Sequence, residues 1–244
     1  HKKPNLSKRI SDIINFEKSV YDKLDGIFTM TDFLKQVFIK GFKIPEKKVH
    51  SIGFAANLDS VMDIDKEYDG KTILFVAKDS FKEKGGLVLL DAFKKVKKEI
   101  KDVRLIIVGQ KIDCKIDGVE NIGFIDKRTI DGESKFIQFY KKASLFVMPS
   151  YVDAAGSVFL EAMSFKVPCI GTNVSAMPEI IVGNHCGVVT NTGDSNALAD
   201  AIIMLLRDAQ LLKEFGENGY KAVKEKYNWE VVCDKFIQIA SSYL

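Results

Sequence analysis

Short apolar runs rich in β-branched and aromatic residues alternate along this chain with longer stretches in which apolar residues recur every three or four positions. The short runs predict strands at residues 26–30, 49–53, 72–77, 103–108, 120–124, 144–148, 168–172 and 187–189. The longer stretches predict helices at 8–24, 32–40, 86–100, 134–142, 157–165, 195–207, 209–226 and 230–243. In the stretch 86–100, Leu89, Leu90, Phe93, Val96 and Ile100 share one face and lysines take the other, the pattern of a helix docked on a sheet. Strand and helix in regular alternation imply an α/β fold, a Rossmann-like parallel sheet with flanking helices.

No internal repeat or low-complexity block interrupts the pattern. Residues 57–71 are polar with little apolar content and are expected to be a linker. Before it, residues 1–56 hold only two helices and two short strands, too little to close a sheet, and are expected to be a remnant of a larger N-terminal domain. Residues 72–227 form the expected main domain and 228–244 a C-terminal helix.

Composition narrows the functional classes. With 244 residues, 46% hydrophobic and 28% charged, the chain can bury a real core, which excludes a disordered tail, a collagen-like repeat or a disulfide-dense miniprotein. A net charge of +3 demands no nucleic acid, although eleven basic against six acidic residues up to His50 make the N-terminal piece locally basic. Cys114, Cys169, Cys186 and Cys233 lie far apart without CxxC spacing and are expected to be reduced, buried small hydrophobes. No apolar run approaches the ~18 residues of a spanning helix. The chain starts at His1 with no signal-peptide pattern, which suggests a tag remnant or a trimmed start.

Two segments hold candidate chemistry. In 75–86, FVAKDSFKEKGG, an apolar strand ends in a polar loop before a helix. Ligands of open parallel sheets bind at the carboxyl ends of strands, so Lys78 and Lys84 are placed to meet an anion, at ~1.5–3 kcal/mol per charge-assisted bond. A solvated loop in a lysine-rich protein has the same appearance. In 144–163, a strand is followed by a turn with Ala154, Ala155 and Gly156 and by a helix opening at Ser157. Free backbone N–H groups and the positive end of the helix dipole then form an anion site. Glu161, one turn into that helix, has two oxygens that could accept hydrogen bonds from a vicinal diol, and Asp153 precedes it on the loop. Taken singly, Glu161 is equally a dipole-compensating residue and Asp153 a turn former.

These motifs, in order, resemble the donor-binding domain of retaining glycosyltransferases of the GT-B fold, family 4 (group 1). The resemblance rests on Pro149-Ser150, Asp153, Glu161-Ala162-Met163 and Pro178-Glu179-Ile180, with Lys78, Lys84-Gly85-Gly86 and the segment from Asn121 to Lys127 upstream. It implies a transferase taking a sugar from a nucleotide-diphosphate sugar to a saccharide or lipid-linked acceptor, as in polysaccharide biosynthesis, with retention and without a metal or other cofactor. It also implies roles. Lys78 and Lys84 would neutralise the diphosphate, the amides of Gly156, Ser157 and Val158 would bind it, Glu161 would hold the ribose, and Asp153 would contact the sugar. Gly123, Phe124, Ile125 and Lys127 would cradle the base. Fixed positive groups at the leaving diphosphate stabilise the transition state in place of a divalent ion. Asp63-Ile64-Asp65 is formally a DxD metal motif but stands in the linker, where it reads as coincidence.

The sequence departs from the family pattern at several places. Asp153 stands for a glutamate, Lys166 for a glycine, and Ser175-Ala176 for a glycine pair. The resemblance implies that most of the acceptor domain lies outside these residues, and His1, His50 and His185 offer no counterpart to the family's histidine, so surface or packing roles are expected for them. A non-catalytic nucleotide-sugar binding module needing a partner domain stays open as an alternative, as does a sugar epimerase of similar fold. The resemblance further implies a cytoplasmic protein, with peripheral contact to the inner face of the membrane through the basic N-terminal piece.

Overall fold

The structure, a computed structural model, describes residues 6–56, 63–68 and 70–243. The first described part consists of α1 (Leu6–Tyr21), β1 (Ile27–Thr29), α2 (Asp32–Gln36) and β2 (Val49–Ser51), with β1 and β2 paired in parallel. Ile27, Ile44 and Val49 form its small core, against which Tyr21, Phe38, Ile39 and Phe42 pack. The expected helix at 32–40 is split: α2 gives way to a widened π turn at Val37–Gly41, closed by Phe42 N donating to Val37 O at 3.3 Å.

The main body is a six-stranded sheet made of β3 (Thr72–Ala77), β4 (Arg104–Gly109), β5 (Val119–Gly123), β6 (Leu145–Val147), β7 (Cys169–Thr172) and β8 (Gly187–Thr190). Every adjacent pair is parallel and the order is β5-β4-β3-β6-β7-β8. Chain progression therefore reverses between β3 and β6, and a crevice opens at such a switch point. The central strands are near-continuous apolar runs because both faces are covered. The covering helices are α3 (Gly86–Glu99), α4 (Ile130–Lys142), α5 (Ser157–Ser164), α6 (Met177–Ile181), α7 (Ser195–Leu206) and α8 (Ala209–Glu225). On α3, Leu89, Ala92, Phe93 and Val96 are buried, the i, i+3, i+4, i+7 stripe of a helix with one face inward.

Boundaries differ from expectation where a cap decides them. α4 begins four residues early because Thr129 Oγ1 accepts from Gly132 N at 3.1 Å. α6, one turn with Pro178 near its start, is too short to show a period and was not expected. α9 (Trp229–Ala240), capped by Asn228, ends in a tightened 3-10 turn at Ser241–Tyr243. It returns to the first part, where Phe236 meets Phe28 at 4.8 Å and Tyr243 Oη lies 2.7 Å from His50 Nε2. The cysteine expectation needs correction: Cys169 and Cys186 are buried, but Cys114 is half-buried in a loop and Cys233 is exposed on α9, although all four are free.

Of the expected linker, residues 57–62 and 69 lie outside the described residues. Residues 63–68 run along the main body. Lys66 Nζ donates to the carbonyls of Tyr140 and Lys141, both at 2.9 Å, which caps the end of α4. Tyr68 Oη donates to Lys166 O at 3.0 Å, and Asp63 pairs with Lys166 Nζ at 3.0 Å. Lys166 and Ser175 have φ of +53° and +54°, the left-handed region that favours glycine, which gives a physical reason for glycine at these two places of the family pattern. At Lys166 the strain is offset by Asp63, by Glu217 at 3.2 Å and by the Tyr220 ring 5.0 Å from the ammonium.

Gly85 enters α3 with φ +78°, and a Cβ there would stand 1.9 Å from Pro149 O on the neighbouring turn. Gly85→Ala is expected to lower stability by at least ~3 kcal/mol, combining backbone strain with a main-chain clash. Urea denaturation measures the loss.

Candidate active site

Two turns at the carboxyl edge of the sheet, residues 78–85 after β3 and 148–156 after β6, lie against each other across the switch point. Tyr151 N donates to Glu83 O at 2.9 Å and Ser150 Oγ lies 3.2 Å from the same oxygen. Thr172 Oγ1, at the end of β7, donates to Ser150 O at 2.6 Å and ties in a third strand. Between these turns and the segment after β5 lies a cleft of about 400 Å³.

Nine of the expected site residues line it: Lys78, Lys84, Phe124, Ile125, Lys127, Asp153, Ser157, Val158 and Glu161. Gly123 and Gly156 are not on its wall but stand one residue before lining residues, both with positive φ. The structure thus brings together groups from three separate connections, those after β3, β5 and β6. The floor, made by Val76, Ala77, Val108 and Met148, is apolar, so charges above it are poorly screened.

Lys84 Nζ lies 2.6 Å from Asp153 Oδ2, with the two side chains 28% and 13% exposed. The other oxygen, Oδ1, accepts from Gly156 N at 2.8 Å. The Gly156 amide, expected to bind the diphosphate, donates in this structure to Asp153, whose short side chain folds back over its own turn. The amides of Ser157 and Val158 remain as first-turn donors of α5, whose start no side chain caps. Ser175 Oγ lies at 3.5 Å from Asp153 N, so the turn after β7 reaches the same corner, with Ala176 buried behind it. Lys78 makes no ion pair among the described residues, and its Nζ lies 5.7 Å from the ring centre of Phe124, which is exposed on the rim.

Glu161 is buried and doubly held. Lys127 Nζ donates to Oε1 at 2.8 Å, and Tyr140 Oη donates to Oε2 at 2.9 Å. Burial first, and the Glu161 charge second, push the Tyr140 phenol well above its ordinary range, so it stays protonated and donates. Tyr140 and Phe136, which lies 4.3 Å from Lys127 Nζ, were not singled out by sequence reasoning. Their only signal was a spacing of four in an expected helix, which also describes ordinary core residues.

The other candidates lie elsewhere. Asp63 is bound to Lys166, and neither it nor Asp65 lines the cleft. His50 contacts Tyr243, His185 occupies a turn at φ +50°, and His1 is outside the described residues. Among the described residues no cluster of three or more His, Cys, Asp or Glu could hold a metal, and no helix is long and apolar enough to cross a membrane.

Residues 59–222 match the family model described as glycosyl transferases group 1. The capsular polysaccharide biosynthesis glycosyltransferase CapM of Staphylococcus aureus is 25% identical over 89% of this chain and 62% of its own length. A phosphatidyl-myo-inositol mannosyltransferase of Mycobacterium leprae is 31% identical over 70% of this chain and 46% of its own. The chain therefore spans roughly half to two-thirds of these relatives. Among solved structures, a variant of S. aureus TarM in complex with fondaparinux, α-GlcNAc-glycerol and UDP superposes with a TM-score of 0.73 at 18% identity, covering 98% of this chain and 48% of that one.

If the Lys84–Asp153 pair joins the two turns as the 2.6 Å contact indicates, the two side chains are energetically coupled. A double-mutant cycle of Lys84→Met and Asp153→Asn in urea is expected to give a coupling of ~1–2 kcal/mol, above that of a surface pair.

Proposed function

This chain belongs to the group 1 glycosyl transferases, and on that premise we propose that it is the donor-binding half of an enzyme moving a sugar from a nucleoside-diphosphate sugar to an acceptor with retention of configuration. The observation that carries this reading is the meeting of Lys84, Asp153, the start of α5 and Glu161 in one cleft at the switch point of the sheet. Lysine ammoniums and free helix-end amides suit a diphosphate, and a fixed carboxylate one turn along suits the ribose diol beside it.

In this mechanism Lys78 and Lys84 draw the diphosphate to the first turn of α5, where the amides of Ser157 and Val158 meet its oxygens. As the glycosidic bond breaks, negative charge grows on the leaving phosphate and oxocarbenium character on the sugar. Cations preorganised above an apolar floor stabilise that charge separation without reorganising. Glu161 holds the ribose, and Phe124 on the rim offers a face to the base, with Gly123, Ile125 and Lys127 shaping that end. Asp153 orients Lys84 and borders the sugar position, one methylene shorter than the glutamate of the family pattern. No metal ion takes part in this scheme.

Titration calorimetry with UDP, GDP and ADP tests the donor site. At least one is expected to bind, with an affinity unaffected by EDTA and lowered about tenfold or more by Glu161→Ala, the loss of hydrogen bonds to a charged group. Binding by none of the three, or no effect of Glu161→Ala, overturns the reading. A second reading is a non-catalytic nucleotide-sugar binding module completed by a partner domain. Sugar transfer by these 244 residues alone excludes it.

A saccharide or lipid-linked acceptor, and peripheral contact with an anionic membrane surface, complete the proposal. The contact rests on the basic N-terminal piece and on exposed Ile10, Ile13 and Phe16 of α1. Co-sedimentation with vesicles is expected only when anionic lipid is present and is expected to weaken with salt. Equal sedimentation with neutral vesicles, or none at all, rules it out.

A further inference from the structure

Helix α4 presents Phe136 and Tyr140 one turn apart on its buried face, and each ring governs one half of the ion pair on the cleft wall. Lys127 Nζ stands 4.3 Å from the Phe136 ring centre. Tyr140 Oη stands 2.9 Å from Glu161 Oε2, and Lys127 and Glu161 are joined at 2.8 Å through Oε1. Tyr140 is itself immobilised. It has no exposed surface, its ring stacks on Phe165 at 5.5 Å and 14°, and it meets Phe136 edge-on at 5.1 Å.

The two oxygens of Glu161 are therefore not equivalent. Oε2 is engaged from the interior by a hydroxyl that cannot move, which sets the rotation of the carboxylate. Oε1 is engaged by a lysine side chain that is 38% exposed and free to swing aside. Only the second oxygen can exchange its partner for an incoming hydroxyl. Packing alone does not require the phenol oxygen, because the ring contacts would be as good with phenylalanine, and the hydroxyl donates to Glu161.

We propose that Tyr140 is a positioning residue that turns Glu161 so that Oε1 faces the ribose diol of a bound nucleotide, while Phe136 keeps Lys127 beside that oxygen as a displaceable partner. The proposal rests on the donor-site reading given above. It makes the discrimination between a ribose and a sugar lacking the diol depend on a residue that never touches the ligand.

The test compares UDP, GDP and ADP with their 2′,3′-dideoxy counterparts on the wild-type chain and on Tyr140→Phe, by titration calorimetry. Wild type should prefer the ribose form of whichever nucleotide binds. Tyr140→Phe should weaken that form about tenfold and change the dideoxy form less than about twofold, since the dideoxy ligand makes no use of Glu161. Equal losses for both forms would assign Tyr140 to packing alone and overturn the proposal, as would no loss for either. Should Tyr140→Phe fail to melt cooperatively, 2,3-difluorotyrosine at position 140 keeps the ring contacts and alters only the strength of the donor. The ribose preference should then shift while dideoxy affinity stays put, and an unchanged preference overturns the proposal. Absence of ribose preference in the wild type is a separate result, visible before any substitution, and it sinks the donor-site reading itself.

Discussion

The close approach of two turns at the sheet's switch point governs everything that happens in the cleft. Gly85 lies so near the Pro149 carbonyl that no side chain fits between them, and Glu83 O receives the Tyr151 amide. This contact lets Lys84, which belongs to the β3 side, reach Asp153, which belongs to the β6 side. Parallel strands bring the two turns to the same edge, and reversal of strand order leaves a gap beside them for a ligand.

Two of the carboxylates in that gap are paired with lysines. Asp153 holds Lys84 and Glu161 holds Lys127, whereas Lys78 and Asp79 on the same wall have no ion pair among the described residues. For the proposed diphosphate, Lys84 is already held at the cleft by Asp153, which lowers the entropy lost on binding. The two pairs differ in kind. Asp153 has both oxygens used inside its own turn and toward Lys84, whereas Glu161 is anchored from below by Tyr140 and exchanges only toward the cleft.

The cleft is also joined to the first part of the chain. Glu179 of α6 accepts from the amides of Asp32 and Phe33 at 3.0 and 2.9 Å, so one carboxylate caps a helix in the other layer of the structure. Four residues before it, Ser175 reaches the Asp153 corner. The turn between β7 and α6 thus connects the proposed sugar end to the N-terminal segment, and the positive φ of Ser175 marks where the backbone bends to make it.

The alternation of apolar runs and amphipathic stretches determined by itself that the chain folds as a parallel α/β sheet, because burial on both faces demands continuous apolar strands and one-sided helices. Lys78, Lys84, Asp153 and Glu161 were also legible, since they fall at strand ends or helix starts, where backbone geometry leaves binding groups free. Which partners those residues take was decided only by tertiary structure. Lys84 reaching Asp153, Lys127 reaching Glu161, and Tyr140 rising beneath it depend on the distances between segments 69, 34 and 21 residues apart in sequence, and no local period encodes those distances. The same holds for Lys166, whose left-handed backbone is sustained by Asp63 and Glu217 from distant segments, and for α6, too short to announce itself before Glu179 had a helix to cap.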